Sequence, residues 1–317
     1  MEQLDPELRA VLEKFPTEGA VDLNNIPAAR AKMKKLFTSM AAKVLPIEGV
    51  TSQDQSVPGR QGDPAVRVRI YQPQERPSIL PALLWIHGGG YVMGDIEQDD
   101  RLMQQMVKRI GCVAVSVDYR LPPEHPFPAP VEDCYAALQW LLTHAGDLGV
   151  DFSRIAIGGA SAGGGLAAGL ALLTRDRGEV PVAFQLLIYP MIDDRNVTPA
   201  SFAITDPRVW HRESNRLGWK AYLGRDGGGD NVSSYAAASR ATDLKNLPPA
   251  YIPVGALDLF IDENIEYAQR LIQAGVPTEL HVYPGAFHGF DVFAPSAAVS
   301  KQFKAERDNA LKRALYS

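Results

Sequence analysis

Ser161 sits in Gly159-Ala160-Ser161-Ala162-Gly163, a G-x-S-x-G pattern. A short apolar run, Arg154 to Ile157, precedes it, and an Ala/Leu-rich run to Leu173 follows. The first reads as a buried parallel strand and the second as a helix. A chain that passes from strand to helix within one or two residues strains its central residue, and glycines two positions to either side remove the side chains that would collide. The hydroxyl then projects at the carboxyl edge of the sheet, beside the positive end of a helix. Gly-rich strand-to-helix turns also cradle phosphates, but this one lacks the G-x-x-x-x-G-K-[ST] lysine and the G-x-G-x-x-G spacing. The chemistry to test for is therefore nucleophilic attack by serine.

A serine hydroxyl is a weak nucleophile at neutral pH and needs an imidazole to take its proton. Reacting groups of open parallel sheets lie outside the carboxyl ends of the strands, so the partners are sought just after later strands. His288 follows the strand ending at Tyr283, and Asp258 follows the strand ending at Val254. A carboxylate there would hold the imidazole in the right tautomer. The rivals are weaker. His281 falls inside an alternating strand, and Asp262 and Glu263 open a helix, where acidic residues serve as caps or favour the dipole. Asp291 is too near His288 in sequence, and Asp118 ends a strand that precedes the serine. After the apolar strand Leu83 to Ile86 comes His87-Gly-Gly-Gly. Its amides at Gly88 and Gly89, with that of Ala162, are the candidate donors to a developing oxyanion.

The elements that must carry these groups alternate. Eight strands are expected: Ile47 to Val57, Ala65 to Tyr71, Pro81 to Ile86, Cys112 to Val117, Arg154 to Ile157, Phe184 to Tyr189, Ala250 to Val254 and Thr278 to Tyr283. Helices are expected at Gln98 to Ile110, Val131 to Thr143, after Ser161, Asp262 to Ala274, and Ala297 to Leu315. This alternation is that of an α/β chain with a mostly parallel sheet flanked by helices. Two stretches stand outside it. Residues 1–45 read as amphipathic helices, Pro6 to Phe15 and Ile26 to Met40, and 195–245 interrupt two core strands. Both are candidate cover for the catalytic part, 46–317.

Composition narrows the partners. The 317 residues carry a net charge of −5 and a pI near 5.7, with 46% hydrophobic and 22% charged residues. An acidic chain without a basic cluster argues against nucleic acid and anionic membrane surfaces as partners. The run from Ile155 to Thr174 is long enough for a membrane span, but its glycines and strand–turn–helix pattern make it core. Two cysteines, Cys112 and Cys134, form no disulfide framework, so a reduced, cytoplasmic protein is expected. Six scattered histidines show no metal-ligand pairing. The late strand Thr278 to Tyr283 reads as a sheet edge, so a homodimer or monomer is expected.

Three markers between Pro81 and Phe290 resemble the bacterial hormone-sensitive-lipase-like carboxylesterases, relatives of arylacetamide deacetylase. They are His87-Gly-Gly-Gly-Tyr91 with Gly94, Asp118-Tyr-Arg-Leu-Pro-Pro-Glu-His-Pro-Phe-Pro-Ala129, and Gly159-Ala-Ser-Ala-Gly-Gly164. The resemblance implies an α/β-hydrolase fold with a helical cap built from residues 1–45 and the 195–245 insertion. It implies cofactor-free hydrolysis of small-molecule esters through an acyl-enzyme, with Ser161, Asp258 and His288 as the triad and Gly88, Gly89 and Ala162 as the oxyanion hole. Two departures stand out: Ala160 where the family usually has Asp, and Asp258-Leu-Phe-Ile-Asp-Glu263 where it usually has Asp-Pro-Leu-Arg-Asp-Glu. Tyr91, Trp210, Leu259 and Phe290, all near the motifs or in the insertion, are the candidate substrate-binding residues, with Phe37, Phe202 and Trp219 as further candidate walls. An amidase or peptidase on the same fold is the runner-up. A non-catalytic receptor, like the plant gibberellin receptors that lack the triad histidine, is disfavoured by His288.

Overall fold

The computed structural model describes residues 3–17, 21–41, 47–75 and 79–317; the helical expectations for 1–2, 18–20 and 42–45 lie outside them. The chain begins with α1 (Pro6–Leu12), a 3-10 turn at Leu23–Asn25 and α2 (Ile26–Ala41). It continues through β1 (Val50–Val57), β2 (Val66–Pro73), β3 (Leu80–Ile86), α3 (Asp100–Ile110) and β4 (Val113–Asp118). Then follow α4 (Ala129–Thr143), β5 (Val150–Ala160), α5 (Ala162–Arg177), β6 (Phe184–Ile188), α6 (Pro199–Ala203) and α7 (Arg212–Leu223). The carboxyl part is β7 (Ala250–Gly255), α8 (Ile261–Gln273), β8 (Thr278–Tyr283), α9 (Phe290–Phe293) and α10 (Ala298–Tyr316).

The eight strands form one sheet in the order β1-β2-β4-β3-β5-β6-β7-β8. β1 runs antiparallel to β2 and β2 to β4, and every later neighbouring pair is parallel. β3 shows why the centre is buried on both faces. Ala82, Leu84 and Ile86 enter one apolar cluster with Leu138 of α4 and Leu166 of α5, while Leu83 and Trp85 enter the other with Met103 of α3 and Phe303 of α10. That is the period-two alternation of a strand, read out by helices on both sides. Each such Leu, Ile, Met or Phe side chain stabilises the fold by roughly 2 kcal/mol. β1, by contrast, is polar and mostly exposed, and Asp54 on it binds Arg67 and Arg69 of β2. Charge at a sheet edge discourages further pairing.

Boundaries differ from expectation where polar residues continue a ladder. The strand before Ser161 runs from Val150 to Ala160, well beyond Arg154 to Ile157, because Leu80 pairs with Val150 across a register shift. The expected helix from Gln98 opens as a 3-10 turn, Ile96–Asp99, before α3. The two stretches outside the alternation also separate. α1, capped by the Asp5 carboxylate on the amides of Glu7 and Leu8, buries Leu8 and Leu12 against the Phe287 and Phe290 side of the core. α2 and the turn before it instead pack Leu23 and Ala29 against Val92, Met93 and Ala221 of α7. Among the described residues no helix is long and apolar enough to cross a membrane.

Register sets the site. Ile86 pairs with Gly159, so β3 and β5 end side by side. The first turn of α5 then passes so near the end of β3 that a Cβ on Gly163 would lie 2.1 Å from the Ile86 carbonyl oxygen. Only glycine fits there. Gly163→Ala is expected to cost roughly 2–4 kcal/mol, because the Ile86 and His87 carbonyls it would meet are backbone and cannot rotate away. A urea midpoint unchanged from the parent chain would refute the close approach.

Candidate active site

Ser161 joins β5 to α5 with φ 57° and ψ −120°. A non-glycine residue held at positive φ is strained by about 1–3 kcal/mol and persists only when its surroundings over-determine it. They do: the Ser161 amide donates to Ile188 O at 2.9 Å, and its carbonyl accepts from Met191 N at 3.0 Å and Gly165 N at 2.9 Å. The end of β6 and the first turn of α5 thus lock the turn from both sides.

The loops after β7 and β8 carry Asp258 and His288, and they are sewn together by Ala256 N to Tyr283 O at 2.8 Å and Leu257 N to Ala286 O at 2.9 Å. The His288 ring lies with Nε2 2.9 Å from Ser161 Oγ and Nδ1 2.7 Å from Asp258 Oδ2. The Asp258 carboxylate is 1% exposed, and its other oxygen accepts the Phe260 amide at 2.9 Å. Tyr189 and Phe260 stand edge-on to the imidazole, with centroids at 4.8 and 5.0 Å. They flank the ring, whose orientation is held by the two hydrogen bonds, and His288 still lines the cavity. The structure brings Ser161, Asp258 and His288 into one hydrogen-bonded line.

Gly88 lies beside this line: a Cβ on it would sit 3.6 Å from Ser161 Cβ and 2.8 Å from Ala160 O. In a trans peptide the carbonyl and the next amide point opposite ways. The His87 carbonyl accepts from Tyr119 OH at 3.0 Å, so the Gly88 N–H turns the other way. The Gly88 carbonyl is held by His87 Nδ1 at 2.8 Å and Gln98 Nε2 at 3.3 Å, which turns the Gly89 N–H likewise. Neither amide, nor that of Ala162, donates to an acceptor among the described residues. His87 itself is fully buried and stacked on Tyr119 at 4.2 Å, and burial pushes its pKa down, keeping it neutral.

The site opens into a cavity of about 640 Å³. Of the four expected wall residues, Trp210 lines it, as does Phe37. The other three do not. Tyr91 is buried, donates to Met191 O at 2.7 Å and stacks on Tyr222 at 4.0 Å. Leu259 packs in the core cluster beneath the sheet, and Phe290 packs edge-on against Phe303 at 5.2 Å. Nor do Trp219, buried beside Tyr91, and Phe202, exposed beneath the Arg212 guanidinium, line the cavity. The rival residues have other partners. His281 lies against Glu279 and Glu306, Asp291 accepts from Tyr189 OH at 2.8 Å, and Asp118 faces Arg67 at 3.5 Å.

Asp262 and Glu263 do not cap their own helix. Asp262 accepts the Ala200 amide at 2.7 Å. Buried Glu263 accepts those of Ile192 at 2.9 Å and Asp193 at 3.3 Å, holding the chain just past β6. Sequence reasoning missed this because a first-turn acid looks the same whether its partner is local or distant.

A family model described as alpha/beta hydrolase fold matches residues 83–292. Esterase LipI of Mycobacterium tuberculosis is 36% identical over 293 residues, covering 92% of this chain and 89% of that protein. Carboxylesterase NlhH of Mycobacterium tuberculosis is 35% identical over 318 residues, covering 99% and 97%. Among solved structures, one titled bacterial heroin esterase superposes with a TM-score of 0.96 at 47% identity, covering 100% of this chain and 99% of that one. A hyperthermophilic esterase of Pyrobaculum calidifontis superposes at 0.90 with 33% identity, covering 98% of each.

Glu263 yields a pH-dependent expectation. Burial, aided by the nearby Asp193 charge, pushes its carboxyl well above the usual carboxylate range. A carboxyl raised in the folded chain contributes stability in full below its unfolded value near pH 4.3 and loses it as pH rises. Glutamine keeps the acceptor and cannot ionise. Glu263→Gln should therefore gain stability relative to the parent from about pH 5 to about pH 8 in urea titrations. A constant difference across that range would contradict the raised carboxyl.

Proposed function

The chain belongs to the α/β-hydrolase-fold family and, within it, to the hormone-sensitive-lipase-like carboxylesterases, and on that premise we propose that Ser161, His288 and Asp258 hydrolyse short- to medium-chain esters through an acyl-enzyme. The observation that carries this is the unbroken line from Asp258 through His288 to Ser161, the last two of which line the cavity. His288 Nε2 takes the hydroxyl proton as Ser161 Oγ attacks the ester carbonyl, and Asp258 stabilises the imidazolium that forms. The amides of Gly88, Gly89 and Ala162 receive the negative charge on the carbonyl oxygen. His288 then gives its proton to the departing alcohol, and the acyl-serine is released by water through the same two steps. Ala160 in place of the family's Asp removes a charge next to the nucleophile and leaves these steps intact.

We read α2 together with the 195–245 insertion as the cap over this site, since both contribute to one apolar cluster beside the cavity. The free, buried Cys112 and Cys134 fit a reducing compartment such as the cytoplasm. The open edge of β8 fits a homodimer.

Ser161→Ala and His288→Ala should each lower kcat on an aryl acetate by about 10⁴-fold, and Asp258→Asn somewhat less, with the fold retained. Full activity in any one removes that residue from the mechanism. Organophosphate labelling should modify Ser161 in the parent and nothing in Ser161→Ala, by mass spectrometry.

The cavity walls also set an expected chain length. Met33, Leu36 and Phe37 of α2, with Trp210, Val292 and Phe293, form a compact apolar surround. Each methylene gains roughly 0.8 kcal/mol only while there is apolar wall to meet it. Hence kcat/KM on 4-nitrophenyl esters should peak around C2 to C8 and fall for longer chains. Efficient cleavage of palmitate, with a rate jump at substrate aggregation, would overturn this reading.

A further inference from the structure

The inner end of the cavity differs chemically from its rim. Cations at the mouth are matched: Arg30 with Glu124 at 2.7 Å, Lys34 with Asp95 at 3.3 Å, Arg208 with Asp206 at 2.6 Å. Deeper in, Trp85, Asp99, Tyr189, Asp291 and Arg307 line the same space. Asp99 accepts from Trp85 Nε1 at 2.7 Å, and Asp291, 7% exposed, accepts from Tyr189 OH at 2.8 Å. Both partners are neutral. Among the described residues neither carboxylate has an ion-pair partner, although Arg307 is close by. Arg307, 1% exposed, gives both Nε and Nη2 to Asp308 Oδ1, at 2.9 and 2.7 Å. Lys304, on the same helix, feels the Asp291 charge without pairing with it.

A carboxylate shielded from water with only a neutral donor keeps much of its desolvation cost; Asp291 is buried, Asp99 is partly buried, and both line the same cavity. Trp85 and Tyr189 line the same space, and the faces of such rings, which carry the negative part of the quadrupole, attract ammonium groups. Position completes the argument. The Tyr189 ring stands against His288 at 4.8 Å and its hydroxyl reaches Asp291, so the carboxylate lies one tyrosine's length from the imidazole. We propose that Asp99 and Asp291 select esters carrying a cationic nitrogen, protonated or quaternary, held at the inner end of the cavity while the carbonyl meets Ser161. This rests on the esterase reading and names the substrate class of that same site.

The test uses shape-matched probes that differ in charge. Choline and 3,3-dimethylbutan-1-ol compete against 4-nitrophenyl acetate, and the acetates of both alcohols are offered as substrates. The parent enzyme should favour the cation at least about tenfold in both Ki and kcat/KM, the scale of a desolvated cation–π and charge attraction, since a quaternary nitrogen has no N–H to donate. Asp99→Asn and Asp291→Asn keep the acceptors for Trp85 and Tyr189 but remove the charges, and each should bring the ratio toward one. Because each readout is a ratio on one enzyme, a change in overall activity cancels. Thermal unfolding identifies a variant that fails to fold, in which case the other variant and the parent ratio decide. Equal handling of the pair by the parent, or a preference that survives both substitutions, overturns the proposal. Absence of 4-nitrophenyl acetate hydrolysis would instead sink the esterase reading. Calorimetric titration of choline against 3,3-dimethylbutan-1-ol on Ser161→Ala then still decides the role of the carboxylates.

Discussion

One close approach organises the molecule: the first turn of α5 against the ends of β3 and β5. Backbone meets backbone there, with the Gly163 position 2.1 Å from the Ile86 oxygen for any added Cβ. Contact at that range cannot be relaxed by a rotamer change, so it fixes helix to sheet as a rigid joint. The strain of Ser161 at φ 57° is one consequence, and the buried strands around it supply the stabilisation that tolerates it. Another is that His87 and Gly88, the residues next after β3, have nowhere to go but alongside Ser161. Ser161 and the Gly88 amide are thus placed by one packing event, and the loops of Asp258 and His288 are added to it across β6, β7 and β8.

Buried carboxyl groups follow the same geometry. Asp99 and Asp291 line the cavity while Asp258 and Glu263 do not, and the donors that hold them differ. Asp258 faces an imidazole and a backbone amide, and Glu263 faces two backbone amides. Asp99 and Asp291 face an indole and a phenol. A carboxylate between amides positions a loop, because amides stay put. One that meets only neutral side-chain donors in a cavity keeps an unspent attraction for cations. The contrast separates groups that shape the site from those that read what enters it.

Much of this was legible in the sequence because chain order and strand-end position are topological. The alternation of eight strands and their helices, the G-x-S-x-G turn, and the loops after β7 and β8 need no knowledge of side-chain contacts. Tyr91, Leu259 and Phe290 were misread for the opposite reason. Nearness to a motif along the chain says nothing of which face a side chain takes, and all three turn into the core, where Tyr91 satisfies its hydroxyl on Met191 O. Asp99 and Trp85 were invisible as a pair, since a strand residue and a 3-10 turn residue fourteen positions on meet only through the fold. α1 and α2 were legible as helices but not as separate in destination. That is decided by which apolar surface each meets.

The segment Asp118 to Ala129 stands outside the line of Asp258, His288 and Ser161, yet its contacts tie it to the neighbouring loop of His87 and Gly88. Tyr119 stacks on His87 and donates to the His87 carbonyl, which turns the Gly88 amide. Arg120 grips Asp133 of α4 at 2.7 Å, anchoring the segment to the core side of the sheet. Further on, the Pro122 carbonyl and the Glu124 carboxylate both receive Arg30 of α2, whose Nε donates to Val92 O at 2.7 Å. The Phe127 amide then bonds to Tyr222 O of α7 at 2.8 Å, and Tyr222 is the ring on which Tyr91 stacks. A single loop therefore touches the oxyanion loop, α2, α7 and the core. The exposed Arg30–Glu124 pair alone would be worth at most about 1 kcal/mol. Joined to two backbone carbonyls, one on this segment and one just past the glycines, it becomes a positional clamp. α2, which supplies walls of the cavity, is thereby tied by hydrogen bonds to the same segment whose Tyr119 orients the Gly88 amide.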